Sequence, residues 1–555
     1  MFQNFRLTMA WVHTWFGLVL GFVLMAAFFF GSLSVFDREI DRWAVPATRV
    51  AAQGVPSFDT VLRPILERMQ PEPADIAALQ GKLSGPVPAR FDTINYWDIR
   101  SSTRDPVTHI YAGYEVPGAK SPDELIYATR MVVGATGQVL EKQPSFIGTG
   151  LFYPLHINLT LEWGQLGAWI IGLAAFVMLA ALVSGVVMHR KIFRELFTFR
   201  PRKALLRSTL DLHNLTGVVA LPFHFFFALS GLLIFTGIYF PIAETQLHPL
   251  HELHERHEEA DAAVPRRRAG VAAPLASVDA MVAQAQQHWA ARGLSGKVEA
   301  LVVMHVGDTN GRVIVVNANE NRVTAFPGST LYFRASTGEM LRESPGPSAT
   351  GHVLEYVAGL HLVHFRHWML RWLYVAGGLL GCVCIATGFI FFVEKRKAQH
   401  AKAGSQGSRI VDSLATFAVT GMVMAAVTLL VANRALPESL PGRTTIQGLV
   451  FWGTWVLSFV HAALRSGTVA RSLMNPAWRE QCWALSALAV AAVALNWVTT
   501  GDHLIKTVFT DTYWPVAGVD LSLIATALVA AAGARRLARR ERAVPQHMRA
   551  STQIR

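Results

Sequence analysis

The sequence predicts a polytopic α-helical membrane protein of about eight transmembrane helices, with two small α+β units outside the bilayer. Three observations carry this. Hydrophobic residues make up 52% of the 555 and charged residues only 16%, where an ordinary soluble domain carries roughly a quarter charged. The apolar residues gather into long runs instead of amphipathic patterns. The basic residues fall in alternate loops between those runs.

Crossing a bilayer takes about 20 apolar residues, and eight runs qualify: 11–36, 167–188, 215–240, 369–393, 411–432, 447–464, 482–499 and 514–534. Arg190, Lys191, Arg194, Arg200, Arg202, Lys203 and Arg207 follow the second run. Lys395, Arg396, Lys397, Lys402 and Arg409 follow the fourth, and Arg465, Arg471 and Arg479 the sixth. The tail at 536–555 is also basic, whereas the short loops at 433–446 and 500–513 hold only Arg434, Arg443 and Lys506. Positive charge stays on the cytoplasmic side, so both termini are expected there. Trp43, Trp163, Trp368 and Trp514 stand near the opposite helix ends as interfacial aromatics. The net charge of +12 is explained by these loops, and no nucleic-acid partner is expected.

The first run, Trp11 to Phe36, is longer than the apolar core of a signal peptide and lacks a small-residue cleavage site, so it is expected to remain as a helix. Cys382, Cys384 and Cys482 all fall in apolar runs, which excludes a disulfide framework.

Two long segments, 37–164 and 241–368, are expected outside. Helical spacing marks Ser57–Met69 and Pro274–Ala290, and strand-like runs mark Val298–His305 and Arg312–Val316. Each segment closes on a hairpin with Thr-Gly at its turn, Arg130–Leu140 and Tyr332–Leu341. The flanking helices repeat too. His13-Thr-Trp-Phe-Gly17 opens the first and His213-Asn-Leu-Thr-Gly217 the third; Ser184-Gly185 ends the second and Thr387-Gly388 the fourth. Residues 1–200 and 201–400 therefore read as a duplicated unit of helix, outer segment, helix. Repeats of this kind build sites between them. The domain plan is a first helix (1–36), outer unit one (37–164), helices two and three (165–240), outer unit two (241–368), helix four (369–400), then four additional helices (410–535).

Ionisable groups at membrane depth are costly and mark function. His13 and His213 fall at one depth on equivalent repeats, and His156 falls at the outer depth with His361 or His364. Two imidazoles facing across a gap are what a six-coordinate b-type haem requires, so two such haems are expected. A glycine four residues after each inner histidine lies on the same face, sparing room for a porphyrin. Arg207, Arg366 and Arg371 are near enough in sequence to meet haem propionates. The plainer reading makes each of these an interfacial histidine, as His367 is expected to be. His224, three turns after His213, is open to ligation, to lining an electron or proton route, or to bonding a carbonyl freed by Pro222. His461 and Asp520 are further intramembrane polar groups without partners identifiable in the sequence.

His248, His251, His254 and His257 recur every three residues among carboxylates, a pattern able to chelate a cation or to form a solvated helix extension. No Gly-x-Gly-x-x-Gly, P-loop or His-Glu-x-x-His motif is present. Electrons would have to come from a quinol, a soluble donor or another protein, and the sequence does not say which.

With Leu7–Gly17, Asp211–Gly217, Leu155-His156, His364-Phe-Arg366, the Ser-Gly and Thr-Gly helix ends and the two Thr-Gly hairpins in view, the chain resembles the PepSY-associated transmembrane helix family over about residues 1–400. That family includes iron-regulated membrane proteins and ferric-siderophore reductases. The resemblance implies PepSY-like outer units and a four-helix core with two b-type haems. His13 and His213 would hold the inner haem, and His156 and His364 the outer one; His-Phe-Arg before an aromatic helix favours His364 over His361. It also implies an oxidoreductase passing electrons to a periplasmic ferric siderophore or another iron chelate. Two readings compete: a non-redox regulator of an envelope peptidase, and a metal or siderophore permease using His224, His461 and Asp520.

Overall fold

The computed structural model describes residues 2–51, 54–79, 90–102, 104–116, 125–134, 136–140, 147–188, 200, 205–240, 268–318, 323–324, 328–466 and 475–542. The chain divides into two compact units, Met1–Pro46 with Pro144–Tyr239 and His367–Arg555, and Ala47–Gln143 with Phe240–Arg366.

In the second unit the two outer segments expected as small α+β units share one sheet. Each outer segment supplies four strands, and together they form one antiparallel sheet in the order β4-β3-β2-β1-β5-β6-β7-β8. The strands are β1 (Ile94–Ser102), β2 (Asp105–Glu115), β3 (Leu125–Val133), β4 (Val139–Leu140), β5 (Val298–Met304), β6 (Arg312–Asn317), β7 (Thr330–Arg334) and β8 (Met340–Glu343). The halves join where β1 pairs with β5, with Asp98 opposite Val302. The physical reason is edge protection: either half alone would leave β1 or β5 with open backbone groups. Both anticipated hairpins form, with Gly137 (φ 65°) and Gly338 (φ 75°) in the left-handed conformation their turns require. Alternate residues of the strands face a core in which Trp97, Tyr114, Trp289 and Phe333 are buried.

The two halves also cap each other. Asp279 accepts from Ser57 Oγ at 2.5 Å, Phe58 N at 2.7 Å and Asp59 N at 3.2 Å. Asp59 in turn accepts from Ser277 Oγ at 2.8 Å, Val278 N at 3.3 Å and Asp279 N at 3.1 Å. The helix Val278–Ala291 and the helical turns at Phe58–Leu66 thus exchange the carboxylates that satisfy their exposed N–H groups.

In the first unit, six helices of the described residues are long and apolar enough to cross a membrane, and two bent pairs bring the number to eight when each is one span. In chain order these are span 1 (Phe5–Val19 with Gly21–Ser34), span 2 (Trp163–Met188), span 3 (Leu205–Val219 with Leu221–Ile234), span 4 (Trp368–His400), span 5 (Gly407–Ala435), span 6 (Arg443–Arg465), span 7 (Pro476–Thr500) and span 8 (Trp514–Arg542). The protein is a multi-pass membrane protein. Spans 1 and 3 bend by 60° and 61° at positions 20 and 220, so the sequence repeat is also a repeat of shape. Pro222 begins the second half of span 3, where its missing N–H costs least. Pro222 marks the bend of span 3 in the sequence, whereas no proline marks the bend of span 1.

Spans 5 to 8 pack on the repeat through Phe30, whose ring meets Phe451 at 6.2 Å and Trp455 at 6.0 Å. Buried polar groups tie them together. Asp520 accepts from Trp43 Nε1 at 2.7 Å and Asn496 Nδ2 at 3.1 Å. Gln481 accepts from Thr420 at 2.5 Å and lies 3.3 Å from His461, which bonds Glu480 at 3.0 Å. Both intramembrane groups singled out in the sequence therefore have partners. In lipid such bonds hold helices together.

Candidate functional site

A cavity of about 430 Å³ opens among spans 1 to 4, within the size range of cofactor and ligand sites. His13 and His213 face each other in it, with ring centroids 6.0 Å apart and ring planes at 86°. Each ring is anchored to the next span of its own repeat. His13 Nδ1 donates to the Ala181 carbonyl at 2.9 Å, and His213 Nδ1 to the Cys384 carbonyl at 2.7 Å. Those bonds keep the proton on Nδ1 and the lone pair on Nε2, as a metal-ligating imidazole needs.

The glycines explain how the rings fit. A Cβ on Gly185 would lie 3.4 Å from the His13 ring, and one on Gly388 3.4 Å from the His213 ring. These helix-end glycines are the surfaces on which the imidazoles pack. Gly17 and Gly217 have the other role anticipated for them, since both line the cavity. A Cβ on Gly17 would meet nothing within 4 Å, so the space beside it belongs to the cavity. The walls are apolar (Leu24, Phe28, Ile385 and Phe389 among them), with Lys395 and Arg396 as their cations. Arg396 is held over Phe392 at 4.9 Å and Trp15 at 5.6 Å. Among the described residues no three His, Cys, Asp or Glu side chains gather to hold a bare metal ion. A pair of imidazoles suits a metal that brings its other ligands with it.

His224 also lines this cavity, past the bend of span 3. It is buried, with Nε2 3.2 Å from the Gly377 carbonyl and its ring edge on Phe28 at 5.1 Å. Of the three roles considered for it, carbonyl bonding is the one seen, although Gly377 in span 4 supplies the carbonyl and the Pro222 turn does not. His156 lies elsewhere, on the short helix Tyr153–Asn158. Its Nδ1 donates to the Ala27 carbonyl at 2.8 Å, and its ring packs where a Cβ on Gly31 would come within 2.8 Å. It thus repeats the carbonyl-and-glycine seat of the inner histidines, on the second half of span 1.

His361 and His364 belong to the other unit, as does Arg366. His361 is on the helix Ala349–Leu362, and His364 follows Val363, which is left-handed (φ 54°). His248, His251, His254 and His257 lie outside the described residues. Two of the arginines proposed for propionates have other engagements. Arg207 pairs with Asp211 at 3.1 Å, and buried Arg371 pairs with Glu39 at 2.8 Å while stacking on Phe36 at 4.2 Å. Sequence reasoning missed Cys384, Lys395 and Arg396 as site residues. The two cations had been explained by topology alone, and Cys384 was weighed only for disulfides.

A helical bundle with a histidine pair in its cavity, in a chain that also carries a β-sheet unit, defines the class of protein. The chain belongs to the family described as the PepSY-associated TM region, whose model matches residues 10–395. That match spans both repeats and leaves spans 5 to 8 beyond it. The chain is also similar to an uncharacterised protein of Pseudomonas aeruginosa, 26% identical over 395 residues, which covers 67% of this chain and 90% of the relative.

Proposed function

We propose that this protein is a di-haem b electron-transfer protein of the bacterial inner membrane, with cytoplasmic termini, reducing ferric iron in a siderophore or other chelate on the periplasmic side. The observation that supports it most is the separation of His13 and His213. Two metal–nitrogen bonds of about 2 Å, with ~1 Å more from each nitrogen to its ring centre, add up to about 6 Å, and the ring centroids are 6.0 Å apart. When bound there, haem would supply one-electron exchange at its iron.

The chain's own residues do the rest of the work in this reading. His13 and His213 would hold the inner iron, and the carbonyls of Ala181 and Cys384 fix their tautomers. Gly17 leaves room for the ring, and Lys395 and Arg396 offer charge to its propionates. His156 is the first ligand of the outer haem. The family motif offers His364, and otherwise His361, as a further candidate ligand, and single variants at the two positions decide between them. His224 and Phe28, in edge contact, extend the cavity wall toward Ala27, the anchor of His156.

The test is reconstitution into proteoliposomes loaded with a reductant, with a ferric chelate and an Fe(II)-specific indicator outside. Fe(II) should appear outside with the wild type and fall at least tenfold with His13→Ala. Uptake of the intact labelled chelate, without Fe(II) formation, would point to the permease reading instead.

A further inference from the structure

The two halves of the histidine cavity are not equivalent. The repeat that relates Gly185 to Gly388 also relates Ala181 to Cys384. In the first half, His13 Nδ1 has the Ala181 carbonyl at 2.9 Å and the Ser184 hydroxyl at 3.4 Å. In the second half, His213 Nδ1 has both the carbonyl of Cys384 at 2.7 Å and its sulfur at 3.5 Å. The thiol is oriented by a contact of its own, since Sγ–H points to the His213 backbone carbonyl at 3.6 Å. That leaves the sulfur lone pairs toward the imidazole N–H. The sulfur also packs on Gly217, where a Cβ would lie 3.4 Å from it. Cys384 lines the cavity, whereas Cys382, two residues away, is buried with its sulfur 4.0 Å from the Met25 carbonyl.

We propose that Cys384 is a positioning residue that raises the donor strength of His213, its thiol being covered when the cavity is filled. The inference rests on the reading of His13 and His213 as haem ligands. A second acceptor on Nδ1–H draws that proton away from the ring and raises the electron density at Nε2. A more basic axial nitrogen stabilises the ferric state and lowers the potential of the bound haem. Sulfur is soft and polarisable, so it does this without the directional demand of a hydroxyl.

The prediction is made on three variants. Cys384→Ala keeps the backbone carbonyl, so it should retain haem while the midpoint potential of the inner haem rises. Cys384→Ser should restore part of the difference. Ala181→Cys, which gives His13 the same neighbour, should move the potential downward. Independently, a protein with Cys382 and Cys482 replaced by Ala leaves Cys384 as its one thiol. N-ethylmaleimide should label it in haem-depleted membranes and fail to label it after haem loading. Unchanged potentials in both Cys384 variants would overturn the tuning role, and equal labelling with and without haem would overturn its place at the cavity wall. A wild-type spectrum without haem bands would instead remove the underlying functional reading, and is told apart by that spectrum.

Discussion

At the scale of single residues, each of the three seated histidines is held by one carbonyl and one glycine. Gly17 is the most informative position, because a side chain there would enter cavity space and not protein. Gly17→Leu is therefore expected to leave the thermal unfolding midpoint within a few degrees of wild type while abolishing haem at the inner site, read as haem per chain. Gly31→Ala puts a methyl group within 2.8 Å of the His156 ring. It should displace that ring and cost the outer haem alone, so the retained absorbance would be half. Asp41, outside the membrane-spanning segments, makes a different kind of prediction. Its carboxylate accepts from Gly148 N at 2.9 Å and Thr149 Oγ1 at 2.7 Å, but burial outweighs these bonds and pushes its pKa up to about 6. The ordinary carboxylate value is about 3.9. The folded state thus holds a proton that the unfolded chain has lost between those values, so stability falls as pH rises from about 4 to 6. Asp41→Asn should flatten that part of the melting-temperature profile, and an unchanged slope would refute it.

At the scale of elements, the reciprocal caps of the outer unit explain why two copies of one motif fold as a single sheet. Asp59 and Asp279 each satisfy N–H groups at the start of the other's helix. Asp279→Ala should destabilise this unit by about 1–2 kcal/mol, in line with the loss of a helix cap. Because Asp59 and Asp279 belong to one network, the double variant should lose less than the sum of the singles, as denaturant unfolding can measure. The elements also mark where sequence reading stopped. The eight apolar runs correspond to six long helices and two bent pairs among the described residues, because hydrophobic length is a strong signal. Hydropathy did not reveal the bends at Leu20 and Ala220; only Pro222 signals the second, and the first has no such mark. The hairpins were legible from Thr-Gly, but the union of β1 with β5 was not, since pairing of distant edge strands leaves no local pattern.

At the scale of the whole molecule, a duplication explains the site. Two repeats, each offering a histidine at one depth, bring those histidines face to face only when packed against one another. The equivalence of His13 and His213 could be read from spacing, and so the inner pair was found. The cations and the thiol beside it could not, because Lys395 and Arg396 carry the same charge pattern as any cytoplasmic loop and Cys384 has no counterpart in the first repeat. Orientation is testable on the intact chain. Reporter fusions after Arg200 and after Arg409 are expected to read cytoplasmic, and fusions within the loops at 433–446 and 500–513 periplasmic. The reverse pattern would invert the proposed direction of electron flow.

The measurement that bears most directly on the account is the reduced-minus-oxidised absorption spectrum of the purified protein from haem-replete cells, with haem counted per chain. Paired axial histidines predict the sharp α and Soret bands of a low-spin b-type haem, two haems per chain, and one fewer in both His13→Ala and His213→Ala. A colourless wild-type protein, or the same haem content in wild type and both variants, would contradict it.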